Sequence, residues 1–463
     1  MALAADWYIM AAIKEFTLAK SRAMFVCQSC GAATPKWLGR CPACQAWDSL
    51  VEEAPPASPA GPTGPAARPQ PLVQARAGRE PRAPSGLAEL DRVLGGGLVP
   101  GMVVLVGGEP GIGKSTLMLQ LAAGLGASGR GVLYVAAEES PRQVGLRAER
   151  LGIAGQSVDL LAETSLEAVM GAWREGAYAA VVLDSVQAVR CGGLAGVPGS
   201  VGQVRQAAAE LAGLAKETGT ALFLVGHVTK EGSLAGPRVL EHLVDTVLYF
   251  ESEPAMRLRL LRAVKNRFGA TDEVGVFEMT EAGLMAVANP SAVFLAHRPA
   301  GAPGSAVCAA MSGSRPLLVE VQALVSPSGL AMPRRQALGI DPGRLHMLCA
   351  VLAIHAGLDL SGHDVFVNVA GGIRLGEPAA DLAVAAAVAS SLAGRPLPPD
   401  VVCFGEVGLA GELRAVGRAP ARLAEAGRQG FLRALTAPTP LERAPEMALM
   451  TAERLHRALE MLW

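Results

Sequence analysis

The chain has 463 residues, 51% hydrophobic and only 4% aromatic, with 41 lysines and arginines against 42 aspartates and glutamates. The length predicts roughly three domains, and the aliphatic content is enough for packed cores, which excludes a wholly disordered chain. A net charge of −1 excludes nucleic-acid binding through a global basic field, so any such contact must come from local loops. Eight cysteines are too sparse for a disulfide-stapled scaffold.

In chain order, residues 1–18 read as a leader outside the fold. The stretch MALAADWYIMAAIKEFTLAK carries Asp6, Lys14 and Glu15, with neither the basic start nor the small-residue cleavage site of a signal peptide. No apolar run is long enough to span a bilayer. A cytoplasmic protein with reduced thiols is expected. Residues 19–53 hold Cys27-x2-Cys30 and Cys41-x2-Cys44. Each turn aims two thiolates at one point, and two such knuckles complete a tetrahedral four-sulfur shell for Zn²⁺. The gap between the pairs is shorter than usual for a zinc ribbon but still allows a hairpin. A thioredoxin-like motif would need a βαβ context that is absent, and disulfides are disfavoured in a reducing compartment. Trp37 and Trp47 are expected to pack on the knuckles. Cys191, Cys308, Cys349 and Cys403 are scattered and read as small apolar filler.

Residues 54–84 are rich in Pro, Gly and Ala and read as a linker. Over 85–288, the apolar runs MVVLV, VLYVAA, AAVVLDS, TALFLVGHV and DTVLYFE alternate with helical segments, which predicts a mostly parallel sheet covered on both faces. RLRLLRAVKNR and EVGVFEM add an antiparallel extension, and 289–463 read as a separate α/β domain with an Ala-rich helix near 379–393.

Between VVLV and TLMLQLAAGL lies Gly108-Glu109-Pro110-Gly111-Ile112-Gly113-Lys114-Ser115-Thr116, matching GxxxxGK[ST] in the strand–helix context the motif requires. Its glycines turn backbone N–H groups inward around the phosphates of ATP, and the helix N-terminus adds a positive end. Lys114 is expected on the phosphate oxygens and Ser115 on Mg²⁺. Asp184 ends a buried strand, where a carboxylate points into the ligand crevice and can hold Mg²⁺ through water; the alternative role is a helix N-cap. Glu138 and Glu139 end the preceding strand, VLYVAA, where one of them can orient the attacking water, ordinary surface carboxylates being the alternative. His227 is a γ-phosphate sensor or a structural histidine.

The knuckle sequence FVCQSCGAATPKWLGRCPACQAWDSL, the loop GEPGIGKST, LDSVQ and above all KNRFG at 265–269 resemble the bacterial RadA (Sms) DNA-repair family over residues 19–463. The leader before Ala19 departs from that pattern, for which an upstream start codon is the simplest explanation. The resemblance implies a RecA-like ATPase core between a zinc motif and a Lon-protease-like C-terminal domain. It implies a DNA-dependent ATPase akin to ring helicases of the DnaB type, hexameric on single-stranded DNA. Branch migration of recombination intermediates alongside RecA recombinase goes with it. Glu138 then falls where RecA-like ATPases keep their catalytic glutamate.

Residues 376–417 resemble the Lon peptidase core, but Ala379 stands at the position of the nucleophile and Pro420 at that of the lysine, so a peptidase-inactive scaffold is expected. Ser390 and Ser391 lie deeper along the helix, in structural positions. Arg205, Lys230 and Arg238 are candidate contacts to the DNA backbone. Lys265 and Arg267 are expected at an edge of the core, which in a ring faces the neighbour's nucleotide, where a cation stabilises the transferring phosphoryl group. Phe268 and Gly269 would shape the turn. The rival functions are a P-loop regulator or small-molecule kinase without DNA, and, more weakly, an ATP-driven protease.

Overall fold

The computed structural model of the chain describes residues 24–27, 32–43, 45–53, 82–153, 157–194, 196–226, 239–253, 258–271, 273–440 and 447–463. The leader, Cys30, Cys44, most of the linker, His227, Lys230 and Arg238 therefore lie outside the described residues. Among the described residues, no helix is long and apolar enough to cross a membrane.

The cysteine block is a three-stranded antiparallel sheet of β1 (Met24–Cys27), β2 (Ala33–Thr34) and β3 (Leu50–Glu53), with β1 in the middle. Among the described residues, Cys27, Cys41 and Leu50 form its buried hydrophobic core. So small a core cannot enclose large rings: Trp37 and Trp47 are exposed, and Arg40, next to Cys41, lies over the Trp47 ring.

The chain divides into two compact units, the first comprising residues up to Leu87, Gly96–Tyr249 and Lys265–Phe268. Its sheet is built on β4 (Val103–Gly108), β5 (Val132–Ala136), β6 (Val158–Leu161), β7 (Ala180–Asp184) and β8 (Ala221–Val225), in the order β4-β8-β7-β5-β6, with β9 (Thr246–Glu253) beginning beside β4. The pairs from β4 to β6 are all parallel. All five apolar runs read from the sequence as core strands are present. The strand missed was β6, whose Val-Asp-Leu-Leu is short and half-exposed at the sheet edge. One face of the sheet, with Val103, Leu105, Val135, Val181 and Leu183, packs on Leu166, Val169 and Trp173 of α4 (Leu166–Glu175) and on Val204, Ala208 and Leu211 of α5 (Val201–Thr218). α2 (Lys114–Ala127) also lies against the sheet, with Leu117, Leu121 and Leu125 buried. Gly124, in the middle of α2, is required by close approach: a Cβ there would stand 2.5 Å from the Ser85 carbonyl oxygen. The last linker residues are docked, not free, because Ala83 and Leu98 exchange both backbone hydrogen bonds at 2.9 and 2.8 Å.

The second unit comprises Ala88–Gly95, Phe250–Val264 and Gly269 to the C-terminus. This differs from the expected break at 288/289. α1 (Ala88–Leu94) and the antiparallel strands β10 (Leu258–Asn266), β11 (Val274–Thr280) and β12 (Gly283–Ala286) are tied in by long-range contacts that a local reading of the sequence cannot see. Buried Glu89 accepts from the Val276 N–H and from Arg315 Nη1, each at 2.9 Å. Beyond them lies a seven-stranded mixed sheet containing β13 (Ser305–Ser312), β14 (Arg315–Pro327), β15 (Arg335–Leu338), β16 (His363–Val369), β17 (Val401–Cys403), β20 (Arg433–Thr436) and β21 (Ala448–Thr451), in the order β15-β16-β14-β13-β17-β20-β21.

The Ala-rich helix is α9 (Asp381–Ala393), and its first ten residues are all buried. Small side chains let it sit close on the sheet. Ser390 Oγ accepts from the Gly304 N–H and Ser391 Oγ from the Val325 N–H, both at 2.9 Å, the structural positions expected for them. Cys308 and Cys403 are fully buried, and burial pushes the Cys403 thiol up to about 12, as suits inert filler. At the start of α9, buried Asp381 accepts from Arg344 Nε at 2.8 Å and from the Val407 N–H at 3.0 Å, and its second oxygen also meets Arg344 Nη2. Arg344→Met would leave that carboxylate buried without its cation. A loss of about 3 kcal/mol is expected, measured by urea unfolding. A change under a few tenths of a kcal/mol would show the pair to be energetically idle.

Candidate active site

Gly108–Gly113 forms the turn from β4 into α2. Gly113 has φ 118°, a left-handed conformation at the first step of the helix that a side chain would strain. α2 begins with no side-chain cap and no acidic residue in its first turn, so its positive end remains directed at an anion held by the loop. Lys114 is 4% exposed, and its Nζ donates to the carbonyl oxygens of Gly108 at 2.8 Å and Glu109 at 2.9 Å. Burial lowers its pKa, while the negative charges of Asp184 and Glu138 oppose that shift. Both carboxylates thus act on the same ammonium. Ser115 and Thr116 follow in the first turn, with Thr116 buried.

β5 and β7 are paired with Ala136 opposite Asp184, and the Ala137 N–H donates to the Asp184 carbonyl at 2.8 Å. That register brings the ends of the two strands, and so Asp184 and Glu138, to one edge of the sheet. Buried Tyr134 donates its hydroxyl to Asp184 Oδ2 at 2.7 Å. Ser185, fully buried, donates to Glu138 Oε1. Glu139 is claimed by Arg147 of α3 (Pro141–Arg150) through two bonds of 2.6 and 2.7 Å, which agrees with the surface role weighed for it. Tyr134, Ser185 and Arg147 were not legible as site residues. Tyr134 reads as a core aromatic, and Arg147 as one more charge on a helix.

In the KNRFG segment, Lys265 Nζ donates to the carbonyls of Glu241 at 2.6 Å and Val244 at 2.8 Å, at the end of α6 (Val239–Leu243). Arg267 is 59% exposed and reaches Asp245 at 3.3 Å. Asp245 in turn accepts from the Val103 N–H at 3.1 Å, linking the segment to the first residue of the phosphate-loop strand. Asn266 Oδ1 accepts from the Phe268 N–H at 2.9 Å, and Arg82 donates to the Phe268 carbonyl at 2.6 Å. Arg205, expected in a loop, lies instead on the exposed face of α5.

In the cysteine block, the Cys27 N–H donates to Ala32 O and the Cys41 N–H to Ala46 O, both at 2.9 Å, so the first cysteine of each pair is bonded to the carbonyl five residues on. Both thiols are fully buried in a unit with almost no core of its own. That donor chemistry fits a four-thiolate metal site completed by Cys30 and Cys44.

In the second unit, Ala379 is buried in a single 3-10 turn ahead of α9, and Pro420 is exposed in the first turn of α10 (Ala419–Arg428). Neither offers a nucleophile or a base.

A phosphate loop on a parallel sheet, with a further strand between its own strand and the one ending in Asp184, defines a RecA-like P-loop ATPase. Family models match a rubredoxin metal binding domain over residues 25–52 and an AAA domain over 70–233. The chain is 52% identical to a DNA repair protein RadA of Pseudomonas aeruginosa, covering 96% of this chain and 100% of that protein. Relatives of the same name from Bacillus subtilis and Brucella abortus are each 50% identical, covering 90% of this chain and 92% of theirs. The chain belongs to the RadA family of DNA repair proteins.

Proposed function

We propose that this chain is a DNA-dependent ATPase that assembles as a hexameric ring of RecA-like units around single-stranded DNA and drives branch migration of recombination intermediates. The observation that carries the ATPase chemistry is the convergence of Lys114, Asp184 and Glu138 at one sheet edge beside the phosphate loop. Lys114 exchanges its loop carbonyls for the phosphate oxygens of ATP, and the backbone N–H groups of the loop, Pro110 excepted, wrap them. Ser115 and Asp184 would hold Mg²⁺, which supplies charge neutralisation on the phosphates when bound. Glu138, oriented by Ser185, accepts the proton of the attacking water.

Lys265 and Arg267 act on the neighbouring subunit's nucleotide, and the exposure of Arg267 suits that reach. Movement on single-stranded DNA uses backbone contacts from the channel side, with Arg205, Lys230 and Arg238 as candidates. RecA recombinase is the partner the family resemblance suggests. The test is a branched DNA substrate: ATP should drive exchange of its arms, whereas a non-hydrolysable analogue should not. Equal exchange with both nucleotides would overturn the motor reading.

Cys27, Cys30, Cys41 and Cys44 would hold one Zn²⁺, which on the order of 10 kcal/mol or more of binding energy makes the fold of that small block. Elemental analysis is expected to find about one zinc per chain, and Cys41→Ser to release it without loss of nucleotide binding. Stoichiometric zinc in that variant would contradict the four-cysteine site. The second unit serves as a ring-forming scaffold without peptidase activity. No ATP-stimulated cleavage of an unfolded protein is expected, and cleavage that survived Lys114→Ala would reveal an unrecognised nucleophile.

A further inference from the structure

We infer that Tyr134 is a positioning residue for the metal-binding carboxylate, fixing Asp184 through the hydrogen bond from its hydroxyl to Oδ2; this rests on the reading of Asp184 as the Mg²⁺ carboxylate. Tyr134 lies in the middle of β5, 1% exposed, and spans from there to the tip of β7, two residues beyond its own register partner Val182. A tyrosine so deeply buried gains nothing from its hydroxyl unless that group is bonded, and it is bonded to Asp184 at 2.7 Å. A phenylalanine would serve the core equally well.

The hydroxyl is a donor here. A phenol 2.7 Å from a carboxylate oxygen supplies the proton of that bond, and Oδ2, which carries none, accepts it. With Oδ2 committed, the carboxylate cannot rotate freely, and Oδ1 is the oxygen left to face the metal's hydration shell. Arg147 is committed to Glu139 through two bonds, so it is Tyr134 that supplies the side-chain hydrogen bond to Asp184. Carboxylates that bind metals are commonly oriented by such outer partners, whose loss typically weakens metal affinity about 10- to 100-fold.

The experiment titrates Mn²⁺ into the full-length chain loaded with ADP and follows free Mn²⁺ by electron paramagnetic resonance, for the native chain, Tyr134→Phe and Asp184→Asn. Tyr134→Phe is expected to bind Mn²⁺ about 10- to 100-fold more weakly. Its affinity for ADP without metal should stay within about twofold, since the phosphate loop and its strand are untouched; that arm also shows that the variant is folded. Native Mn²⁺ affinity in Tyr134→Phe, with Asp184→Asn impaired, would overturn the positioning role while leaving Asp184 as the metal carboxylate. Native affinity in Asp184→Asn would overturn the reading of Asp184 itself, and the inference with it.

Discussion

Replacing Lys114 with alanine is expected to lower ATP turnover by about 10²–10³-fold or more, the scale for losing one preorganised cation on a developing charge. The side chain is almost wholly buried, and its two carbonyl contacts aim the ammonium into the loop. No other lysine occupies the loop, so nothing replaces it. Steady-state phosphate release measures the effect. Turnover within tenfold of native would mean that Lys114 contributes only to the fold of the loop.

The second large effect is expected at the KNRFG segment. Lys265→Ala and Arg267→Ala should each slow hydrolysis, by up to about 10³-fold if the group is a finger acting across subunits, with little change in nucleotide affinity. A separate role within one chain has to be distinguished, because Lys265 also caps the carbonyls of α6. Mixing Lys265→Ala subunits with Lys114→Ala subunits does so. Some interfaces then pair an intact loop with an intact finger, and partial recovery of turnover is expected. If mixed rings form and no activity returns, Lys265 acts on its own subunit.

Much of the ATPase core was legible because its evidence is local. Five apolar runs gave five strands, and the loop motif sits between one strand and one helix. What escaped depends on long-range register. Asp184 and Glu138 share an edge because Ala136 pairs with Asp184, and no sequence window contains both strands. The anchoring of KNRFG on Asp245, and the transfer of residues 250–264 to the second unit, are likewise products of pairing between distant segments. Trp37 and Trp47 are exposed because the cysteine block has too small a core to receive large rings.

Hydrolysis by this chain is expected to be coupled to DNA. This coupling is tested most directly by ATP turnover of the purified chain with and without single-stranded DNA across a salt series. Clear stimulation at low salt, declining as salt rises because the contacts are to phosphates, is the expected result. Turnover indifferent to DNA at every salt concentration would contradict it.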